Sequence, residues 1–177
     1  MENGHTLGQC LLMTKQYHRA ANVVTLDVGC CYVAAKSLNM VHNSEEAVDI
    51  IEYFLEESLP TVNMMEMTIK TRANLSSLYL LKGLEVRDDR QGAADCYRLA
   101  VKTDLTCAEA MTTLTSHQML SLEEERHLVS GLPLDTGHHG HSPDIVSLAS
   151  HLYKGSLKKY STMLSILVQI MLSEQNY

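Results

Sequence analysis

Apolar residues recur along this chain at i, i+3, i+4 and i+7, the spacing that places four side chains on one stripe of an α-helix. Six quartets are well formed: Tyr17, Ala20, Ala21, Val24; Val28, Cys31, Tyr32, Ala35; Ala47, Ile50, Ile51, Phe54; Ala93, Cys96, Tyr97, Ala100; Cys107, Ala110, Met111, Leu114; and Ile145, Leu148, Ala149, Leu152. No run of alternating apolar and polar residues competes with them, so the pattern predicts an all-α fold. Small Ala recurs beside Tyr, Phe or Leu. That pairing suits antiparallel helices that approach closely and bury a large side chain against the next hairpin, as in a stacked solenoid.

Helix ends are also marked. Asn43 with Glu46, and Ser121 with Glu124, have the spacing of capping boxes, in which each side chain takes up a backbone N–H left free at a helix start. Pro60 follows the end of the first of these helices, and Gly131 and Pro133 close the second. The stretch GLPLDTGHHGHSP, residues 131–143, has too little apolar content to pack and predicts an exposed loop. The sequence therefore divides into a helical repeat body over 1–132, a Gly- and His-rich loop over 133–143, and a C-terminal helical segment over 144–177 whose docking the pattern does not fix. Ala20 and Ala47 are 27 residues apart, and no Pro separates Val24 from Val28. The apolar series through Tyr17, Ala21, Val24, Val28, Cys31 and Ala35 predicts continuous or nearly continuous helix from Tyr17 to about Leu38.

Composition narrows the function. A formal charge of −7 with scattered Lys and Arg lacks the basic stripe that displaces counterions from phosphates, which excludes a nucleic-acid footprint and favours protein partners. Cys10, Cys30, Cys31, Cys96 and Cys107 lack paired spacing and no secretory signal precedes them, so they read as reduced core thiols of an intracellular protein. The longest strongly apolar run, Met163 to Leu172, is about half the length of a bilayer-spanning helix. His138, His139 and His141 crowd into one glycine-flanked stretch and read as solvated rather than metal-binding. Glu123, Glu124 and Glu125 fit the first turn of a helix, where acidic side chains favour the dipole. No nucleophile with a base, phosphate loop, cofactor site or ligand set has convincing spacing. The chain reads as non-catalytic, with no cofactor.

Two stretches carry a resemblance to a known family. Gly8-Gln9-Cys10-Leu11 with Thr14 to Ala21 (TKQYHRAA), and the run LTSHQMLSLEEERHLVSGLPL from Leu114 to Leu134, resemble segments of the cell division cycle sixteen family, subunits of the anaphase-promoting complex built from tetratricopeptide repeats. Tyr32 to Lys36, Glu46 to Asp49 and Leu157 to Tyr160 continue the likeness in the same order, so it spans about Leu7 to Tyr160. It implies antiparallel helix hairpins in a short solenoid, with repeat packing positions at Leu7, Gly8, Tyr17, Ala20, Val24, Tyr32, Ala35, Ala47, Phe54, Gly83, Tyr97 and Ala100. The step of 27 falls short of the roughly 34 residues of such repeats. Gly83 to Tyr97 is also short, which predicts a tight turn at Asp88 to Gly92.

The resemblance implies a non-catalytic scaffold in a ubiquitin ligase of mitosis, working in nucleus and cytoplasm, with other subunits of that complex as partners and early repeats that pair with a second copy. The chain matches the N-terminal part of the family and is expected to be a shortened product. The later repeats that hold the family's small stabilising subunit have no counterpart here, so that partner does not carry over. The alternative is a stand-alone repeat adaptor gripping the acidic tail of a chaperone. Such a groove needs Lys, Arg and Asn converging from first helices, and the pattern offers only Thr6, Gln9, Leu12 and Met13, then Lys36.

Overall fold

A computed structural model describes residues 2–23, 27–59, 67–86, 88–132 and 141–156, with side chains from residue 4 onward. Among these residues the secondary structure is helical and no strand occurs. The helices are α1 (Glu2–Met13), α2 (Tyr17–Ala21), α3 (Val28–Met40), α4 (Ser44–Tyr53), α5 (Ile69–Glu85), α6 (Arg90–Thr103), α7 (Ala108–Ser116), α8 (Leu122–Ser130) and α9 over 143–156. A wider π-type turn, Phe54–Ser58, extends α4. Consecutive helices pair as α1 with α2, α3 with α4 and α5 with α6, while α3 also packs on α1 and α5. The fold is a tetratricopeptide-type solenoid of stacked hairpins, as the sequence pattern predicted.

Three of the turns between helices share one construction. Lys15, His42 and Gln118 have positive φ of 59°, 60° and 49°. Each sits just past a helix as the left-handed residue of a Schellman closure, in which two backbone N–H groups turn back to the last carbonyls. After α1, Lys15 N bonds Leu12 O and Gln16 N bonds Leu11 O; after α3, His42 N bonds Asn39 O and Asn43 N bonds Leu38 O; after α7, Gln118 N bonds Thr115 O and Met119 N bonds Leu114 O. Lys15 and His42 stand 27 residues apart, as do Ala20 and Ala47. The two first hairpins thus turn at equivalent points, and the second helix of the first hairpin, α2, is only five residues long.

That placement corrects the expectation of one helix from Tyr17 to Leu38. α2 ends at Ala21, and α3 starts afresh behind Asp27, whose backbone is extended (φ −89°, ψ 131°) and whose carboxylate accepts from Gly29 N at 3.0 Å and Cys30 N at 3.2 Å. An Asp that satisfies two free N–H groups favours a helix start over a continued stripe. Val24, at the join, lies outside the described residues. Thr68 and Asp89 cap α5 and α6 in the same way, and Ser121 with Glu124 makes the reciprocal box expected for α8. Asn43 caps α4 by accepting from Glu46 N at 3.5 Å. The turn before α6 is short, and Gly92 suits it because a Cβ there would meet the capping Asp89 carboxylate.

α3 is the central element. Nine of its residues from Val28 to Leu38 are buried, among them Cys30, Cys31, Val33, Ala34 and Ala35, because α1, α2, α4 and α5 surround it. Its Ser37 hydroxyl is satisfied by Val33 O at 2.7 Å. The α5–α6 hairpin is tied by Ser76 Oγ donating to Ala100 O at 2.8 Å in the interior. Lys82 and Glu52 bridge α5 to α4 at 2.9 Å. α9 is held by Tyr153, whose hydroxyl donates to Leu105 O at 2.6 Å in a buried site.

The sixth apolar quartet is corrected by α9. Val146, Ala149, Ser150 and Tyr153 are its buried residues, whereas Ile145, Leu148 and Leu152 are 43%, 61% and 53% exposed. The stripe chosen from sequence is real, but the helix docks along the neighbouring one.

Candidate interaction surface

The packing positions expected from the repeat pattern fall mainly at close helix contacts. Ala20, Ala35, Ala47 and Ala100 are completely buried, Phe54 and Tyr97 nearly so, and Tyr17 and Tyr32 are half-buried. Gly8 lets α1 approach α3, since a Cβ there would stand 3.1 Å from Val33 Cγ1; Gly83 lies under the Tyr97 ring, where a Cβ would come within 2.7 Å of Cε1. Leu7 departs from the pattern at 54% exposure, because α1 buries His5, Gly8 and Leu11 toward α3 and turns Leu7 away. Lys36 donates to the Tyr32 hydroxyl at 3.1 Å and sits 5.4 Å from its ring centroid, covering that half-buried ring.

Where α1, α3 and α5 meet, a cleft of about 480 Å³ is lined by His5, Thr6, Asp27, Val28, Thr68, Lys70, Thr71 and Asn74. Sequence reading missed all of its α5 contribution, since polar residues at a helix start carry no apolar period. His5 is 6% exposed and neither ring nitrogen has a hydrogen-bond partner. The ring lies over Gly29, where a Cβ would meet Nδ1 at 2.6 Å. Lys70 and Asn74 supply donors, but Asp27 places a carboxylate in the same cleft. That mixture suits polar backbone and side-chain recognition better than an acidic tail. A second cleft of about 380 Å³, between Leu84, Tyr97, Thr113 and Met119, is closed at one side by Arg90, which donates to His117 O and Gln118 O.

The reactive-looking residues sit in structural roles. Burial pushes the Cys31 thiol up to about 12, so it remains a protonated core group. Cys10 is exposed and Cys107 half-buried, which corrects the reading of all five cysteines as core. His141 also departs from its solvated-loop reading: its ring is 6% exposed, and Nε2 lies 3.2 Å from Asp104 Oδ1 without a well-aligned hydrogen bond. His138 and His139 lie outside the described residues. Asp104 Oδ1 is taken up by Thr106, through its N–H at 2.8 Å and its hydroxyl at 2.7 Å. No group of three or more His, Cys, Asp or Glu suited to a metal ion occurs among the described residues. No described helix is long and apolar enough to cross a membrane.

No family model matches the sequence. Among curated proteins, the chain is 31% identical over 175 aligned residues to the human cell division cycle protein 16 homolog and 30% identical to that of the mouse. Each match covers 88% of this chain and 28% of the relative, so the chain spans little more than a quarter of the proteins it resembles. Among solved structures, one subunit in the crystal structure of the APC/C hetero-tetramer Cut9-Hcn1 superposes with a TM-score of 0.62 at 24% identity, over 92% of this chain and 32% of that one. This structural likeness carries the fold. By sequence, the chain is similar to the cell division cycle protein 16 homologs along most of its own length.

Proposed function

We propose that this chain is a non-catalytic repeat scaffold of the cell division cycle sixteen type, which contributes protein-protein contacts to the anaphase-promoting complex while ubiquitin-ligase chemistry resides in other subunits. The observation that carries the reading is the 31% identity that runs over 88% of the chain, together with a stack of hairpins whose shared faces are the surfaces such scaffolds use. Its partners are then other subunits of that complex and a second copy of this chain, met in nucleus and cytoplasm. The small stabilising subunit is not among the proposed partners. Gly8, Tyr17, Ala20, Val24, Tyr32, Ala35, Ala47, Phe54, Gly83, Tyr97 and Ala100 set the repeat register, and the cleft at His5, Lys70 and Asn74 is the surface proposed for contact.

The stand-alone chaperone-tail adaptor is the weaker reading, because Asp27 in that cleft repels the carboxylates such a tail presents. Affinity capture of the tagged full chain from mitotic extract tests both. Recovery of ligase-complex subunits, and their loss in a Lys70→Glu, Asn74→Arg variant that keeps its helical circular dichroism, is the expected result. Recovery of chaperones alone would replace the scaffold reading with the adaptor.

A further inference from the structure

The imidazole of His5 is 6% exposed, and neither of its ring nitrogens is hydrogen-bonded. Buried polar atoms in folded proteins are almost always paired, because a donor or acceptor taken out of water without a partner is costly. The ring lines the cleft of about 480 Å³ between α1, α3 and α5, a volume that accepts a bound group. The floor is open because residue 29 is glycine: a Cβ there would stand 2.6 Å from His5 Nδ1 and 3.0 Å from Asp27 Oδ2. An unpaired ring and a carboxylate thus converge over one bare stretch of backbone.

The surroundings select against charge of either sign. Asp27 accepts from Gly29 N at 3.0 Å and Cys30 N at 3.2 Å and so is fixed beside the ring, while Lys70 is exposed on the α5 wall. An anion would meet Asp27 and a cation would meet Lys70, and like charges brought together oppose binding. The bordering helix ends do not make an anion site, because Asp27 takes up two N–H groups of α3 and Thr68 takes up the Thr71 N–H of α5 at 3.2 Å. Hydrogen-bond capacity points the same way. In either tautomer a neutral imidazole has one donor and one acceptor. A carboxylate offers acceptors and an ammonium offers donors, so neither satisfies both ring nitrogens. An amide group carries one of each. Asn74, half-buried on the α5 wall, has the same double capacity. A helical partner has its backbone amides already paired, so an extended segment or an Asn or Gln side chain is what supplies a free one.

We propose that this cleft, whose role in partner contact rests on the scaffold reading above, recognises an extended, uncharged segment of the partner protein, with His5 and Asn74 bonding its backbone or carboxamide groups. His5 is then the residue that sets the specificity, and Asp27 and Lys70 exclude charged sequences.

Selection of a random linear peptide library, displayed on phage, against the immobilised full chain reads the occupant's chemistry directly. Enriched peptides should lack charge and be rich in Asn and Gln. His5→Phe, which keeps the bulk of the ring and removes both nitrogens, should weaken their binding by about tenfold, and Asn74→Leu by about threefold or more. Asp27→Asn keeps a capping oxygen and should shift the selection toward acidic sequences. Enrichment of acidic or basic peptides by the unaltered chain, no enrichment at all, or binding unchanged in Asn74→Leu with no acidic shift in Asp27→Asn would overturn the proposal, and these outcomes decide it even if His5→Phe fails to fold. Uncharged peptides selected as expected, with no ligase-complex subunits captured from mitotic extract, would remove the scaffold reading and keep the chemistry of the cleft. Subunits captured while acidic peptides are selected would do the reverse.

Discussion

Glycine is used here where helices touch. Gly83 has no room for a side chain, because a Cβ would stand 2.7 Å from the ring of Tyr97, itself 1% exposed. Gly83→Ala is therefore expected to cost roughly 1–3 kcal/mol through overpacking, despite the better helix propensity of Ala. Gly155 has nothing within 4 Å of its would-be Cβ, and Gly155→Ala should be neutral or stabilising by a few tenths of a kcal/mol up to about 1. Urea unfolding of the two variants separates close approach from mere composition. The left-handed residues make the opposite case. His42 is exposed and holds a φ of 60° that disfavours any side chain, so His42→Gly should raise stability by about 1 kcal/mol, read as an upward shift of the thermal midpoint.

Helix boundaries were legible wherever a side chain could cap locally. The Ser121 and Glu124 box and the Asn43 cap follow from spacing alone, because both partners lie within four residues. The break before α3 was not legible in the stripe, since an apolar series can run on in register across the end of one helix and the capped start of the next. Asp27→Ala is expected to destabilise by about 1 kcal/mol, with a faster amide exchange of Gly29 and Cys30, the two donors it satisfies. A variant in which those amides stayed protected would return the join to continuous helix. α9 shows a different limit. Both of its stripes are apolar in sequence, and the covered one carries Tyr153, whose hydroxyl is anchored on the Leu105 carbonyl.

At the scale of the whole molecule, one carboxyl gives stability a pH dependence that its place in the sequence does not suggest. Glu125 belongs to the acidic first turn of α8, yet it is 4% exposed, and burial raises its carboxyl above the ordinary value of 4.5. Burial penalises the charged form, so the folded state binds this proton more tightly than the unfolded chain does. Its contribution to stability is fully present below the unfolded value and is lost as pH rises through the folded one. Glu125→Gln should accordingly raise stability at neutral pH and flatten that part of the pH profile, whereas Glu123→Gln, at an exposed position, should leave it unchanged. Denaturation midpoints across the acid-to-neutral range give the comparison.

The sequence by itself determined the helical class, the small-beside-large packing of Ala20, Ala47, Tyr97 and Ala100, and the likeness to the cell division cycle sixteen family. These rest on periodicity and local chemistry, which a chain carries wherever it folds. The tertiary structure alone decided that α2 stops at Ala21, that His5 is buried over Gly29, that His141 turns in beside Asp104, and that Ile145, Leu148 and Leu152 lie on the uncovered side of α9. The last three of those depend on residues far apart in sequence competing for the same space. Burial is a property of the neighbour that arrives, and a periodic pattern shows only which faces are ready to receive one.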